Sequence, residues 1–138
     1  MILEKYTVLG YFHAFNEEYF DGVLPIPNIK ITKAYKYVGR FSCQVNSNNE
    51  YCNFLIEMTN NFDYTFEQVR DVLVHEMIHF YLVYVGEDPK CTHGKKFKKL
   101  AKKFNNEYGM NIDTRVNIND YILRKGRSKL LLKFWCYF

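Results

Sequence analysis

The stretch from Phe66 to Val85 constrains this chain more than any other, because it is apolar nearly all round and yet carries ionisable groups at its middle. Its strongly polar members are Glu67, Gln68, Arg70, Asp71, His75, Glu76 and His79. Thr65-Phe66-Glu67-Gln68 fits the S/T-x-x-E/Q capping box, with Thr65 as the cap and Gln68 reaching back to its N–H. Gly86 suits the left-handed position just past the last turn. A helix of this composition is buried along much of its length, so His75, Glu76 and His79 enter the interior. An unpaired buried carboxylate costs several kcal/mol or takes up a proton, and the neighbouring turns supply no cation for it.

The segment His75-Glu76-Met77-Ile78-His79 resolves that conflict if a metal ion is present. Positions i and i+4 stack on one helix face, so both imidazoles reach the same ion, and neutral imidazole suits zinc. Glu76 is rotated by about 100° from His75, which places it to hydrogen-bond a water on the metal rather than to ligate. The competing reading is a helix with two core histidines and a glutamate paired to a base. A catalytic zinc takes three protein ligands and keeps one position open. His93, in Cys91-Thr92-His93-Gly94, is the expected third ligand, with Cys91, Glu87 and Asp88 as rivals in the same loop. His13 belongs to an amphipathic helix and is read as a surface or core histidine.

Around this element the pattern reads as one domain, 1–138, of class α+β. Val8, Phe12, Phe15 and Tyr19 recur at helical spacing over roughly 4–20, and Asp21-Gly22 ends the helix. Ile29–Thr32 predicts a short strand. Phe41–Val45 and Tyr51–Met58 predict a hairpin with Val45 facing Tyr51 and Cys43 near Cys52. Asn60–Asp63 reads as loop, Lys95–Tyr108 as a helix stopped by Gly109, Ile118–Leu123 as a helical turn and Lys129–Tyr137 as a final strand. With no run of about 18 apolar residues and no signal-peptide pattern, no membrane span is expected and the setting is read as cytoplasmic. Cys43, Cys52, Cys91 and Cys136 show no C-x-x-C spacing and are expected as free thiols, two or more of them buried.

Charge is uneven. Residues 1–69 carry 5 Lys/Arg against 8 Asp/Glu, whereas residues 70–138 carry 14 against 7. Lys95, Lys96, Lys98, Lys99, Lys102 and Lys103 alternate with Phe97, Leu100, Ala101 and Phe104, so one face packs inward and six lysines coat the outside. A solvated face and a phosphate-binding patch, extended by Arg124, Lys125, Arg127 and Lys129, both fit this pattern.

Taken in order, Phe15-Asn16-Glu17-Glu18-Tyr19-Phe20-Asp21-Gly22-Val23-Leu24-Pro25, Gly39-Arg40-Phe41, His75–His79 and His93-Gly94-Lys95-Lys96-Phe97 resemble the SprT-like (Spartan-type) metalloprotease domain. The resemblance covers most of the chain. It implies a zincin-like minimal fold: an N-terminal helix, a small antiparallel sheet, the H-E-x-x-H helix and a following helix. It also implies Zn²⁺ on His75, His79 and His93, Glu76 as catalytic base, a protein or peptide substrate, and in some members action on DNA-bound proteins. The four-cysteine zinc ribbon of many relatives has no counterpart here, so what it does for them is not carried over, and DNA contact is expected through the six lysines. Tyr37, Arg40, Tyr81 and Tyr84 are candidates by residue type for holding an oxyanion. The alternative function is a nucleic-acid-binding or interaction domain whose zinc is structural and closed by Cys91.

Overall fold

The computed structural model describes residues 1–126 and the strand Trp135–Tyr137. The described elements are α1 (Lys5–Phe20), β1 (Asn28–Thr32), β2 (Gly39–Val45), β3 (Tyr51–Thr59), β4 (Phe62–Asp63), α2 (Phe66–Tyr84), α3 (Lys95–Tyr108), β5 (Arg115–Asn117), β6 (Ile122–Leu123) and β7 (Trp135–Tyr137). The chain is α+β, with three helices among the described residues and a small mixed sheet.

That sheet corrects the expectation of purely antiparallel pairing. Its order is β1-β3-β2; β2 and β3 form the antiparallel hairpin, with Val45 opposite Tyr51, while β1 runs parallel to β3 from Asn28–Leu55 to Thr32–Thr59. The sequence marks the hairpin because its turn is local. The partner of β1 is fixed instead by the segment 33–38, which carries the chain across to the far edge before β2 begins. A register shift between Ser42 and Gln44 leaves Cys43 in a bulge, with Gln44 rather than Cys43 beside Cys52. Cys43, Cys52 and Cys91 are free thiols and all three are half-buried, so the expectation of buried cysteines does not hold for the described ones. Cys136 lies outside the residues whose side chains are described.

Two further departures follow from pairing over long sequence distance. Residues 62–63 form β4 rather than loop, paired antiparallel with β6, and the stretch 118–123 divides into one 3₁₀ turn at Ile118–Asp120 and then β6. The expected last strand is seen as β7, which pairs with β5; its remainder, 129–134, lies outside the described residues.

Elsewhere local chemistry dictates local structure. The α1 helix ends at Asp21 and Gly22, both left-handed, and the Asn16 side chain brackets Leu24, donating to its carbonyl (2.9 Å) and accepting from its N–H (3.2 Å). That bracket turns the chain from α1 toward the sheet. At the start of α2, Thr65 Oγ1 accepts from the Gln68 N–H and Gln68 Oε1 accepts from the Thr65 N–H, so the capping box is complete. The core is aromatic where the sheet, α1 and α2 meet. Phe80 of α2 packs on Phe54 (centroids 4.7 Å), Phe41 (5.1 Å) and Phe12 (6.3 Å). No described helix is long and apolar enough to cross a membrane.

Candidate metal centre

Two adjacent rows of α2 do different work. Val72, Glu76 and Phe80, spaced i, i+4, i+8, face β2. His75 and His79 face the loop after α2 and the start of α3. Glu76 therefore occupies a core position between two apolar neighbours and is 0 % exposed. Gly39 makes this possible: a Cβ there would stand 2.8 Å from Val72 Cγ1 and 3.3 Å from Glu76 Oε2. The missing side chain lets β2 come down onto the helix at the carboxylate.

The third histidine arrives by way of a folded loop. Gly86 leaves α2 in a left-handed conformation (φ 77°), and the N–H groups of Glu87 and Asp88 both donate to the Leu82 carbonyl. Asp88 Oδ2 then accepts from the Thr92 N–H (2.8 Å) and hydroxyl (2.9 Å), and Thr92 Oγ1 accepts from Gly94 N–H. This chain of turns delivers His93 to the N-terminus of α3. Its Nε2 stands 3.1 Å from His75 Nε2 and 3.1 Å from His79 Nε2. Phe97, one turn into α3 and 1 % exposed, lies against all three imidazoles with centroid separations of 4.7, 4.6 and 4.8 Å.

The three histidines are positioned to bind a metal ion, their ligand atoms all within 4.8 Å of one another. A tetrahedral ion with Zn–N bonds of about 2.05 Å needs nitrogens about 3.3 Å apart, close to the separations seen. A single N–H proton on His93 Nε2 could serve only one of its two neighbours, whereas three lone pairs directed at a cation are all satisfied together. His79 Nδ1 is buried without a hydrogen-bond partner among the described residues, and the Asp113 backbone hydrogen-bonds to His75.

Electrostatics favour the same state. Burial, then the charges of His79 and His93, lowers the His75 pKa well below the ordinary imidazole value, with the Asp113 backbone opposing. Burial and then His93 bring His79 down to about 4, against Asp88. His93 is lowered by burial and then by Lys98. All three are neutral near pH 7, as metal ligation requires. Burial also drives the Glu76 pKa well above the usual carboxylate range, offset in part by the Phe41 backbone amide. Beyond that amide, neither Glu76 oxygen has a hydrogen-bond partner among the described residues, and Oε2 is 4.0 Å from His75 Nε2.

The rival ligands stay outside this cluster. Cys91, Glu87 and Asp88 do not join it, and burial, followed by the charges of Glu76, Asp88 and Cys43, pushes the Cys91 thiol up to about 12, where it remains protonated. His13 is exposed on α1. None of the oxyanion candidates is engaged at the cluster. Arg40 Nε donates to Glu57 Oε2 across the hairpin (2.8 Å) with Tyr37 stacked on its guanidinium, Tyr81 packs on Phe20, and Tyr84 packs on Phe54 and Phe80. The contributions of Gly39 and Phe97 lie within segments that the sequence singles out; that of Asp113 carries no local signal, because it depends on how the chain returns after α3.

The sequence profile of the SprT-like family matches residues 8–120. The chain belongs to the SprT-like family. No curated protein and no solved structure matches it at a significant level. The matched span of this SprT-like chain includes α1, the three-stranded sheet, α2, the three histidines and α3.

Burial of Glu76 has a measurable consequence in the metal-free protein. Below its ordinary value of 4.5 the carboxyl is protonated in folded and unfolded chains alike. Above that value the unfolded chain releases the proton while the folded one keeps it, so stability falls with rising pH until the raised folded pKa is passed. Metal-free Glu76→Gln is therefore expected to melt above metal-free wild type at pH 7.5, with the gap closing as the pH falls to 4.5. Calorimetry in chelator checks this, and a gap that is absent or independent of pH contradicts it.

Proposed function

We propose that this SprT-like chain is a zinc-dependent metallopeptidase of zincin-like architecture, with Zn²⁺ on His75, His79 and His93 and Glu76 as general base. The observation that carries the reading is the convergence of three neutral imidazoles beside a buried carboxylate of raised proton affinity. A structural zinc site has no use for such a carboxylate. It would also need a fourth protein ligand, and among the described residues the cluster contains three.

When bound, zinc supplies Lewis-acid chemistry, lowering the pKa of water toward about 7 and polarising a peptide carbonyl. The protein's own part falls mainly to Glu76. Its carboxylate takes the proton that the attacking water loses and passes it to the amine nitrogen as the C–N bond breaks, which returns the carboxylate to its starting state. Gly39 holds β2 against this group, so the carboxylate keeps one position relative to the imidazoles. Phe97 and the Asp113 backbone fix the ring orientations.

Glu76→Gln keeps the shape and the metal ligands but cannot accept the proton. It is expected to retain zinc and to cleave an unstructured protein at least about a hundredfold more slowly than wild type. Cleavage at the wild-type rate by the zinc-loaded variant would remove Glu76 from the mechanism.

A second proposal rests on α3, where Lys95, Lys96, Lys98, Lys99, Lys102 and Lys103 are all exposed. We infer contact with a nucleic-acid backbone along this helix, consistent with action on DNA-associated proteins. Affinity for duplex DNA should then fall steeply with rising salt. Absence of binding at low salt contradicts it.

A further inference from the structure

Next to the histidines, α3 and the segment Ile112–Thr114 border a groove of about 310 Å³. Phe97, Ala101 and Ile112, all buried, supply its apolar lining. Lys98 and Lys102, one helical turn apart and both exposed, line it from α3, and Asp113 lines it from the facing segment.

Three of these residues tie the groove to the metal centre. The Phe97 ring rests on all three imidazoles, the Asp113 backbone hydrogen-bonds to His75, and the Lys98 ammonium is near enough to His93 to depress its pKa. The groove and the imidazoles thus share Phe97 and Asp113 as neighbours. An extended peptide advances about 3.3–3.6 Å per residue, so one or two residues span the width of the Phe97 ring.

Its polar groups are unevenly engaged. Asp113 Oδ1 accepts from the Thr114 N–H (2.7 Å). The Asn105 amide is held by Ile112, donating to its carbonyl (3.0 Å) and accepting from its N–H (2.8 Å). Neither lysine ammonium takes part in an ion pair or hydrogen bond among the described residues, in contrast to Lys96, which stands 3.9 Å from Glu87. Long lysine stems can lie along an apolar floor while their charges stay in water at the rim. An occupant with an apolar stem and an anionic end complements both parts, and such complementarity acts mainly on specificity.

We propose that this groove is the substrate-selecting pocket of the peptidase, taking an acidic side chain, glutamate foremost, within two residues of the scissile bond. The proposal rests on the peptidase reading above. Lys98 and Lys102 are its specificity-determining residues and take no part in the chemistry; the nucleic-acid contact proposed for α3 then falls to Lys95, Lys96, Lys99 and Lys103.

The test is to digest dephosphorylated β-casein, an unstructured probe, with zinc-loaded wild type and with Lys98→Glu/Lys102→Glu, and to map the cut sites by mass spectrometry. Wild type should favour sites with Glu or Asp within two residues of the cut by about fivefold over matched Lys or Arg sites. The double variant should reverse that preference, and Lys98→Gln/Lys102→Gln should abolish it without reversal. Independently of turnover, the amide resonances of Lys98, Ala101 and Ile112 should shift on titration with acetyl-Ala-Leu-Glu-Ala-amide and not with its lysine counterpart. Glu76-dependent cleavage with a profile indifferent to these substitutions would overturn the pocket while leaving the peptidase intact. If wild type shows no Glu76-dependent cleavage, the peptidase reading fails and the pocket fails with it.

Discussion

The arrangement turns on a carboxylate placed where a protein of this size would ordinarily put a leucine. Glu76 lies in the row of α2 that faces the sheet, between Val72 and Phe80, fully buried and, beyond the Phe41 backbone amide, without a hydrogen-bond partner among the described residues. Burying such a group is unfavourable by several kcal/mol if it is ionised, and still unfavourable if it is neutral but unpaired. The surrounding structure is built to hold it rather than to relieve it. Glycine at position 39 brings β2 into contact, and the stacked rings of Phe41, Phe54 and Phe80 anchor the sheet to the helix beside it.

The histidines extend the same logic to the adjacent row of α2. Two of them come for nothing beyond helical geometry, one turn apart. The third requires the whole passage from Gly86 to Gly94, in which Asp88 and Thr92 close successive turns and so fix where α3 starts. Once α3 is in place, Phe97 covers the imidazoles, and Asn105 bends the returning chain so that Asp113 meets His75. Fold and site are thus mutually dependent: the loop that fixes where α3 starts also supplies the site with its third ring.

Much of this was legible in the sequence because it is local. The capping box at Thr65 and Gln68, the stop at Gly86, the i, i+4 pair and the amphipathic rhythm of α3 all depend on residues within a turn or two of each other. His93 was legible through its place before α3. What was hidden depends on distance along the chain. The parallel union of β1 with β3, the β4–β6 pair and the Asp113 contact each join segments whose pairing leaves no local trace. Residue type alone singles out no oxyanion partner: Arg40 contacts Glu57 and Tyr37, and Tyr81 packs on Phe20.

The central claim, that three imidazoles and a buried carboxylate form a zinc centre, is most directly tested by elemental mass spectrometry of the purified protein beside His79→Ala and His93→Ala. The account predicts about one zinc per wild-type chain and loss of that zinc in both variants. Wild-type protein that carries no metal after a zinc-replete preparation would contradict it.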